Sequence, residues 1–365
     1  MAGVYLSYPF CSQKCTYCNF ASGVFPAELE RRYGAALRTE LKAAEWEWTP
    51  ETLYIGGGSP SRWDTEDLGA TLACVPGREW KEATIEAAPG DVSEERLRAW
   101  LAAGLNRVSF GVQSFVKREL AQTGRRHTAE TVAGEVAMLR EAGLGNINLD
   151  LIAGLPHQTV ATFAESLEWI VRLDVPHVSV YMLEVDEDSR LGLEILQEGS
   201  RYGAGQRATE EAVVEMYELA MERLREAGLE RYEISNFARA GYESPHNLKY
   251  WRLAPYAGFG ADAHSFDGRR RKQNVESTAE YVALMETGGN GVAECVAANL
   301  EEERFLVGLR LAEGIGLSAA EYGAHRGAIE RFVGDGLLRW EGGMLSLTRQ
   351  GVLYSNDVIQ EFLHS

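Results

Sequence analysis

The sequence has few of the features that mark secreted, membrane-spanning or nucleic-acid-binding proteins. Its 365 residues contain no apolar run of about 18 residues, so we expect no membrane-spanning helix. Residues 1–25 lack the basic head and apolar core of a signal peptide. Basic residues number 36 against 54 acidic ones, and the formal net charge of -18 disfavours a nucleic-acid partner. These absences favour a cytoplasmic protein and leave peripheral membrane contact and pairing of subunits open.

Cysteine is also scarce, and its distribution is uneven. The chain has five Cys, an odd number, and no secretory signal, which argues against a disulfide framework. Three of them, Cys11, Cys15 and Cys18, follow one another at C-x₃-C-x₂-C spacing. Cys74 and Cys295 are isolated in the sequence, and we interpret them as buried small hydrophobic residues.

The three clustered thiols have the chemistry of an iron–sulfur site. Cys thiolate is the ligand that iron–sulfur clusters take, and thiols three and four residues apart can converge on one centre. A structural zinc ion would need a fourth ligand, and no further Cys or His follows within ten residues of Cys18. We therefore predict a [4Fe-4S] cluster on Cys11, Cys15 and Cys18 with one iron left open. Zinc binding or coincidence is the alternative.

The triplet and its flanks resemble a known superfamily. C-x₃-C-x₂-C is similar to the signature of radical S-adenosylmethionine (SAM) proteins, in which the amino and carboxyl groups of SAM chelate the open iron. Electron transfer from that cluster can cleave the sulfonium. The flanking runs Y-L-S-Y-P-F-C and C-N-F resemble the branch that contains oxygen-independent coproporphyrinogen III oxidases and HemW-type haem chaperones. The resemblance implies a [4Fe-4S] cluster and SAM as cofactors.

Short β-rich runs alternate with amphipathic helical runs through the first half of the chain. Strands are predicted at residues 4–7, 52–55, 83–87, 107–111, 147–152 and 177–183. This alternation is typical of βα units around a parallel sheet. Helical runs and a hairpin at residues 338–347 resemble a winged helix. We therefore expect an α/β fold, a partial (β/α)6 barrel of the radical SAM type at 1–240, a connecting segment at 241–299, and a small winged-helix-like α+β domain at 300–365.

Polar and glycine residues gather at the ends of the predicted strands, where parallel barrels build their ligand sites. Taken singly, the glycines could form a strand-to-helix turn, and the polar residues could be satisfied structural groups. The resemblance instead assigns Gly57, Gly58 and Ser59 to the amino group of SAM. It implies further SAM contacts at Glu86, Gln113, Arg125 and Asp150, with Tyr5 and Tyr17 beside the cluster.

The sequence departs from the family pattern at several positions. Ala88 replaces the Asn of E-x-N-P-G, and Ser59 replaces Thr. Phe20 lies where the oxidases carry the fourth Cys of C-x₃-C-x₂-C-x-C. The oxidases also have a long extension before the triplet, whereas ten residues precede Cys11 here. The last two departures favour the haem chaperones over the oxidases.

The run H-N-L-K-Y-W at residues 246–251 resembles the H-N-x-x-Y-W motif of haem chaperones. Imidazole is a common axial ligand of haem iron. The resemblance thus implies that His246 binds haem iron and that Tyr250 and Trp251 contact the macrocycle. The alternative for His246 is a hydrogen-bonded core histidine, and His264 and His157 are further ligand candidates.

We expect a chaperone that binds haem as cargo and passes it to haem-accepting proteins. The alternatives are a coproporphyrinogen III oxidase and a radical SAM methyltransferase, so enzymatic activity is undecided at this point.

Overall fold

The computed structural model describes residues 2–363. Six parallel strands form its centre, and strands that are consecutive in the chain are neighbours in the sheet. They are β1 (Gly3–Tyr8), β2 (Thr52–Gly57), β3 (Glu82–Ala87), β4 (Arg107–Gln113), β5 (Asn146–Ala153) and β6 (His177–Met182). At least one helix lies in every connection, as parallel pairing requires. The predicted partial (β/α)6 barrel is confirmed.

Four of the six α-helices between these strands begin at a capping side chain. The helices are α1 (Ala27–Ala43), α2 (Thr65–Leu72), α3 (Glu94–Ala102), α4 (Lys117–Thr123), α5 (Ala129–Glu141) and α6 (Val160–Leu173). Asp64, Ser93, Thr128 and Thr159 each accept a hydrogen bond from a backbone N–H of the first turn of α2, α3, α5 and α6. Such caps satisfy donors that the helix itself leaves unpaired.

Side chains alternate along each strand between an apolar outer face and a polar inner face. Val4, Leu6, Leu53 and Ile55 have no exposed surface and belong to the apolar core. The residues between them point the other way because successive strand side chains face opposite sides. The inner face is consequently polar, and it includes Tyr54, Glu82, Thr84, Glu86, Arg107, Ser109, Asn148, Asp150, His177 and Ser179.

The next part of the chain extends the sheet at both edges. It contains α7 (Arg190–Leu196), α8 (Glu210–Glu226), β7 (Glu230–Arg231), β8 (Asn236–Ala238), α9 (Pro245–Trp251), β9 (Tyr256–Phe259), β10 (His264–Phe266), β11 (Arg270–Asn274), α10 (Thr278–Glu286) and β12 (Val292–Ala297). Strand β9 pairs with β1, and β10, β11 and β12 follow it outward. The segment predicted as a connector, 241–299, thus adds α9, α10 and four strands. Cys295, expected to be buried, is exposed because β12 is an edge strand, and Cys74 is half-buried.

A small α+β unit ends the described chain. It consists of α11 (Leu300–Gly308), β13 (Ile315–Gly316), α12 (Ala319–Ala324), α13 (Arg326–Gly334), β14 (Leu338–Glu341), β15 (Met344–Leu347), α14 (Arg349–Leu353) and α15 (Ser355–Gln360). Its strands form a separate sheet in the order β13-β15-β14. The predicted hairpin and winged-helix-like character are confirmed. Within residues 2–363, no helix has both the length and the apolar character needed to cross a membrane.

The amino-terminal end of the barrel interior is closed by a buried ion pair. Arg107 Nε lies 3.5 Å from Glu82 Oε2, and the two side chains are 1% and 3% exposed. A hydrogen bond from Arg107 Nη1 to Thr84 Oγ1, 3.4 Å long, holds the guanidinium further. Removing one partner of such a pair leaves the other charge buried without compensation.

We expect Glu82→Gln to lower the free energy of unfolding by about 3–5 kcal/mol, because Arg107 would lose its counter-charge. Urea denaturation at neutral pH measures this change. The control is Glu226→Gln at the exposed pair with Arg223, where the change should be below about 1 kcal/mol. Equally small changes in both variants would contradict a stabilising role for the buried pair.

Candidate functional site

A cavity of about 680 Å³ opens at the carboxyl ends of the parallel strands. It brings together eleven of the predicted site residues from six separate stretches of the chain. These are Cys11, Cys15, Tyr17, Cys18, Gly57, Gly58, Ser59, Glu86, Gln113, Arg125 and Asp150. Tyr5 lies deeper in the barrel, where its ring stacks on Tyr54 with 6.2 Å between centroids.

The cysteine loop leaves β1 and returns beside it. Cys11 donates its backbone N–H to Gly23 O at 2.8 Å, which closes the loop at its base. Burial raises the pKa of the Cys11 thiol, and the hydroxyls of Ser22 and Ser59 oppose that shift. All three thiols line the cavity.

Among residues 2–363, no three His, Cys, Asp or Glu side chains converge on one metal-ion position. Cys11, Cys15 and Cys18 stay the predicted cluster ligands.

Backbone hydrogen bonds join the glycine run at the end of β2 to the cysteine loop. Gly58 and Ser59 donate their N–H groups to Tyr8 O and Phe10 O at 2.7 and 2.9 Å. A Cβ at Gly58 would lie 2.6 Å from Phe10 O, so a side chain cannot fit there. The glycines therefore allow a close backbone approach, and these two N–H groups are already used. A SAM amino group is a donor, so it would need carbonyl oxygens of this loop.

Gln113 and Arg125 face the cavity from the β4 side. Gln113 has a positive φ of 69°, and its buried Oε1 finds no hydrogen-bond partner among the described residues. Such an orphaned acceptor fits a ligand donor. Arg125 donates from Nη1 to Gly111 O at 2.6 Å. Burial disfavours the Arg125 cation, but Tyr17 and Cys15 beside it hold its pKa above the ordinary value.

Two carboxylates, Glu86 and Asp150, face the same cavity from β3 and β5. Glu86 accepts from Tyr54 Oη at 2.9 Å and from Gly57 N–H at 3.1 Å. Burial, and next the charge of Asp150, raise the pKa of Glu86 to about 7. Burial likewise raises the pKa of Asp150, which accepts a 2.7 Å hydrogen bond from Asn148 Nδ2. Half-buried carboxylates with raised pKa values favour a cationic ligand.

These features fit SAM, which carries an ammonium and a sulfonium. Glu86 and Asp150 would meet its positive groups or its ribose hydroxyls, and Gln113 Oε1 would accept a hydrogen bond. Arg125 would balance its carboxylate. The residue assignments stay predictions, and the donor set agrees with them.

The predicted haem residues lie elsewhere, at the amino-terminal end of the barrel. His246 is 1% exposed. Its Nδ1 lies 2.9 Å from Thr52 Oγ1 and its Nε2 lies 2.9 Å from Tyr250 Oη. Burial lowers the pKa of His246 to about 3, so the imidazole is neutral. Arg310 lies over the Trp251 ring at 4.7 Å. The structure thus does not bring His246, Tyr250 and Trp251 to the cavity that holds the thiols.

Several side chains at the site were missed by the sequence interpretation. Tyr181, Ser109 and His127 line the cavity, and Tyr54 bonds Glu86. For Tyr54, Ser109 and Tyr181 a signal was present, since polar residues recur at every second position along β2, β4 and β6. Period-2 polarity on an otherwise apolar strand indicates an inner face turned to a ligand. His127 follows Arg125 in a loop, and no periodicity could have identified it.

Known proteins resemble this chain in sequence and in fold. Residues 5–170 match the Radical SAM superfamily. The haem chaperone HemW of Bacillus subtilis is 34% identical, over 100% of this chain and 99% of its own length. HemW of Mycobacterium tuberculosis is also 34% identical, over 99% of this chain and 94% of its own. The coproporphyrinogen III oxidase HemN of Escherichia coli superposes with a TM-score of 0.85 at 20% identity, covering 100% of this chain and 90% of that one.

The barrel, its mouth and the superfamily match define a radical SAM protein, and that class implies a [4Fe-4S] cluster and SAM. The HemN likeness, at 20% identity, shows the fold alone. Sequence identity to HemW proteins over the full length of the chain identifies the family within this class. The chain belongs to the HemW family of radical SAM proteins.

We expect anaerobically reconstituted protein to show brown iron–sulfur absorbance and Cys11→Ala to lose it, because Cys11, Cys15 and Cys18 are the clustered soft ligands of the cavity. Iron content and the absorption spectrum measure the loss. Cys74→Ala is the control and should keep the cluster. Iron retained in the Cys11, Cys15 and Cys18 triple variant would refute the assignment.

The affinity for SAM should fall as the pH drops below about 7, approaching about tenfold per pH unit, because Glu86 must lose its proton to meet a cation. The sign follows from the raised pKa: above it the carboxylate is already charged, and below it binding has to release a proton. Calorimetric titration of reconstituted protein with SAM measures the profile. Glu86→Gln should bind more weakly and lose this dependence. A flat wild-type profile between pH 5.5 and 7 would contradict the prediction.

Proposed function

We propose that this protein is a haem chaperone that works in the cytoplasm and delivers haem to haem-accepting proteins. The observation that carries the proposal is the identity of 34% to proteins named haem chaperone HemW, which extends over the whole chain. A residue of the cavity, Phe20, also supports the proposal. Phe20 is 66% exposed and lines the cavity at the position where the oxidases carry a fourth Cys.

The cavity supports cofactor binding as part of this function. When bound, a [4Fe-4S] cluster would supply an iron site for SAM and an electron that can cleave its sulfonium. Cys11, Cys15 and Cys18 would hold the cluster. Glu86, Asp150 and the carbonyl oxygens of the glycine loop would bind and orient the positive groups of SAM.

The haem ligand is a separate question. We keep His246 as the proposed axial ligand, and its neutral imidazole suits iron. In the conformation described here both of its nitrogens are hydrogen-bonded, so binding iron requires that the bond to Thr52 or to Tyr250 be broken. His264 is exposed, and His157 is half-buried with Nδ1 3.1 Å from Arg118 Nη2. These two histidines are the alternatives.

Haem titration followed by visible spectroscopy tests the proposal. Wild-type protein should take up haem with a Soret shift typical of imidazole ligation. If His246 supplies the nitrogen, His246→Ala should abolish or displace that shift, and Trp251→Phe should weaken uptake without changing the ligation. The cysteine variants should still bind haem. An unchanged spectrum in His246→Ala would transfer the assignment to His264 or His157, each tested by its own alanine variant.

The same preparation distinguishes the chaperone from an oxidase. Reconstituted protein, SAM, a reductant and coproporphyrinogen are incubated anaerobically. We expect no protoporphyrinogen. Its formation by wild-type protein would contradict the chaperone proposal and establish oxidative decarboxylation.

A further inference from the structure

Helix α9, which carries the H-N-x-x-Y-W residues, is fixed to the amino-terminal end of the barrel by Glu82. Ser244, at the helix start, donates its hydroxyl to Glu82 Oε1 at 2.8 Å. The backbone N–H of His246 donates to the same oxygen at 3.2 Å. Because Glu82 also pairs with Arg107, the first turn of α9 is part of the buried polar interior of the barrel.

His246 is enclosed on several sides. Thr52 and Tyr250 bond its two nitrogens, and its ring stacks on Tyr54 with 5.4 Å between centroids and 28° between planes. A Cβ at Gly3 would lie 3.1 Å from His246 Cε1, so the β1 backbone closes a further side. The imidazole therefore provides a packed surface on which the Tyr54 ring rests.

Tyr54 connects this packed end of the barrel with the cavity. Its ring is flanked by His246 and by Tyr5 of the neighbouring strand. Its hydroxyl donates to Glu86 Oε1 at 2.9 Å. A tyrosine hydroxyl lies at the far end of a rigid ring, so small changes in ring tilt move the hydrogen-bond donor relative to Glu86. The direction of the Glu86 carboxylate thus depends on what supports the ring.

We propose that His246 is a positioning residue of the SAM cavity: it supports Tyr54, whose hydroxyl orients Glu86 toward the ligand. This rests on the SAM binding assigned to the cavity, and it is independent of which histidine binds haem. This proposal gives the H-N-x-x-Y-W motif a role at the amino-terminal end of the barrel. That role does not require contact with haem. Removing the ring would leave a gap beneath Tyr54 and weaken its hydrogen bond to Glu86.

The affinity for SAM and its pH midpoint together report this role. Ionisable groups lie near Glu86 on five other strands and on α9, namely Tyr5, Tyr54, Arg107, Asp150, Tyr181 and Tyr250. Among these, the Tyr54 hydroxyl, and after it the charge of Arg107, favour the Glu86 carboxylate. Losing its support should therefore raise the pH midpoint of SAM binding. A general loss of stability would not move that midpoint.

The experiment is a double-mutant cycle on anaerobically reconstituted protein, titrated with SAM between pH 5.5 and 8.5. We expect Tyr54→Phe and His246→Ala each to weaken SAM binding by about threefold to tenfold, the effect of one hydrogen bond. Each should raise the pH midpoint by about half to one unit. The double variant should be no worse than Tyr54→Phe, because both changes remove the same contact. Leu248→Ala, on the same helix and lining a different cleft, is the control and should match wild type.

Additive losses in the double variant, or wild-type affinity and midpoint in His246→Ala, would overturn the proposal. Loss of haem uptake in His246→Ala with unchanged SAM binding would also overturn it and assign His246 to the cargo. If His246→Ala does not fold, His246→Gln serves instead. It keeps an amide able to bond Thr52 but removes the ring face, so it must give the same shift. Absence of haem uptake by wild type would refute the chaperone proposal and leave this one standing on the SAM titration.

Discussion

The placement of two half-buried carboxylates in one cavity is the constraint on which the rest of this structure depends. Glu86 and Asp150 lie inside a barrel whose outer shell is apolar. Desolvation raises the cost of charging both, and the charge of Asp150 raises it further for Glu86. Hydrogen-bond donors offset part of this cost: Tyr54 and the N–H of Gly57 on β2 bond Glu86, and Asn148 bonds Asp150 within β5. Even with these donors the pKa of Glu86 stays raised. A cationic ligand would stabilise the charged carboxylate and supply the interaction that the protein lacks.

The close approach of two loops is the second requirement. The glycine run and the cysteine loop are joined by backbone hydrogen bonds, and a side chain at Gly58 would collide with Phe10 O. The thiols and the polar inner face can share one cavity because these backbones nearly touch. The close approach of the two loops therefore explains the glycines without any ligand. The same close approach places a ligand of Glu86 beside the thiols.

The polar interior also relates the two ends of the barrel. In most parallel barrels the amino-terminal end serves stability and the carboxyl end carries function. Here Glu82, Arg107 and Thr52 hold α9 at the first end, and Tyr54 reaches from that end to Glu86 at the second. A residue that fills space at one end can consequently affect ligand geometry at the other through a single aromatic ring.

Much of this architecture could be predicted from the sequence. The six strands follow from alternating β-rich and helical runs, and the polar strand ends had to meet at one edge because parallel strands share a direction. Cys11, Cys15 and Cys18 needed no tertiary information, since their chemistry lies in their spacing. The continuation of the sheet through β9 to β12 was less accessible, because β9 pairs with β1 across more than 240 residues of chain and no local pattern encodes that pairing.

The sequence by itself thus determined the class of fold, the thiol triplet and the set of polar residues at the barrel mouth, because each depends on local periodicity or short spacing. Only the tertiary structure decided the surroundings of His246. The six-residue motif identifies the histidine and its aromatic neighbours. Thr52, Tyr54 and Glu82, which surround the histidine, lie on strands that are distant in the sequence. Whether a histidine is open to a ligand or held in a core depends on those long-range contacts, and spacing along the chain carries no record of them.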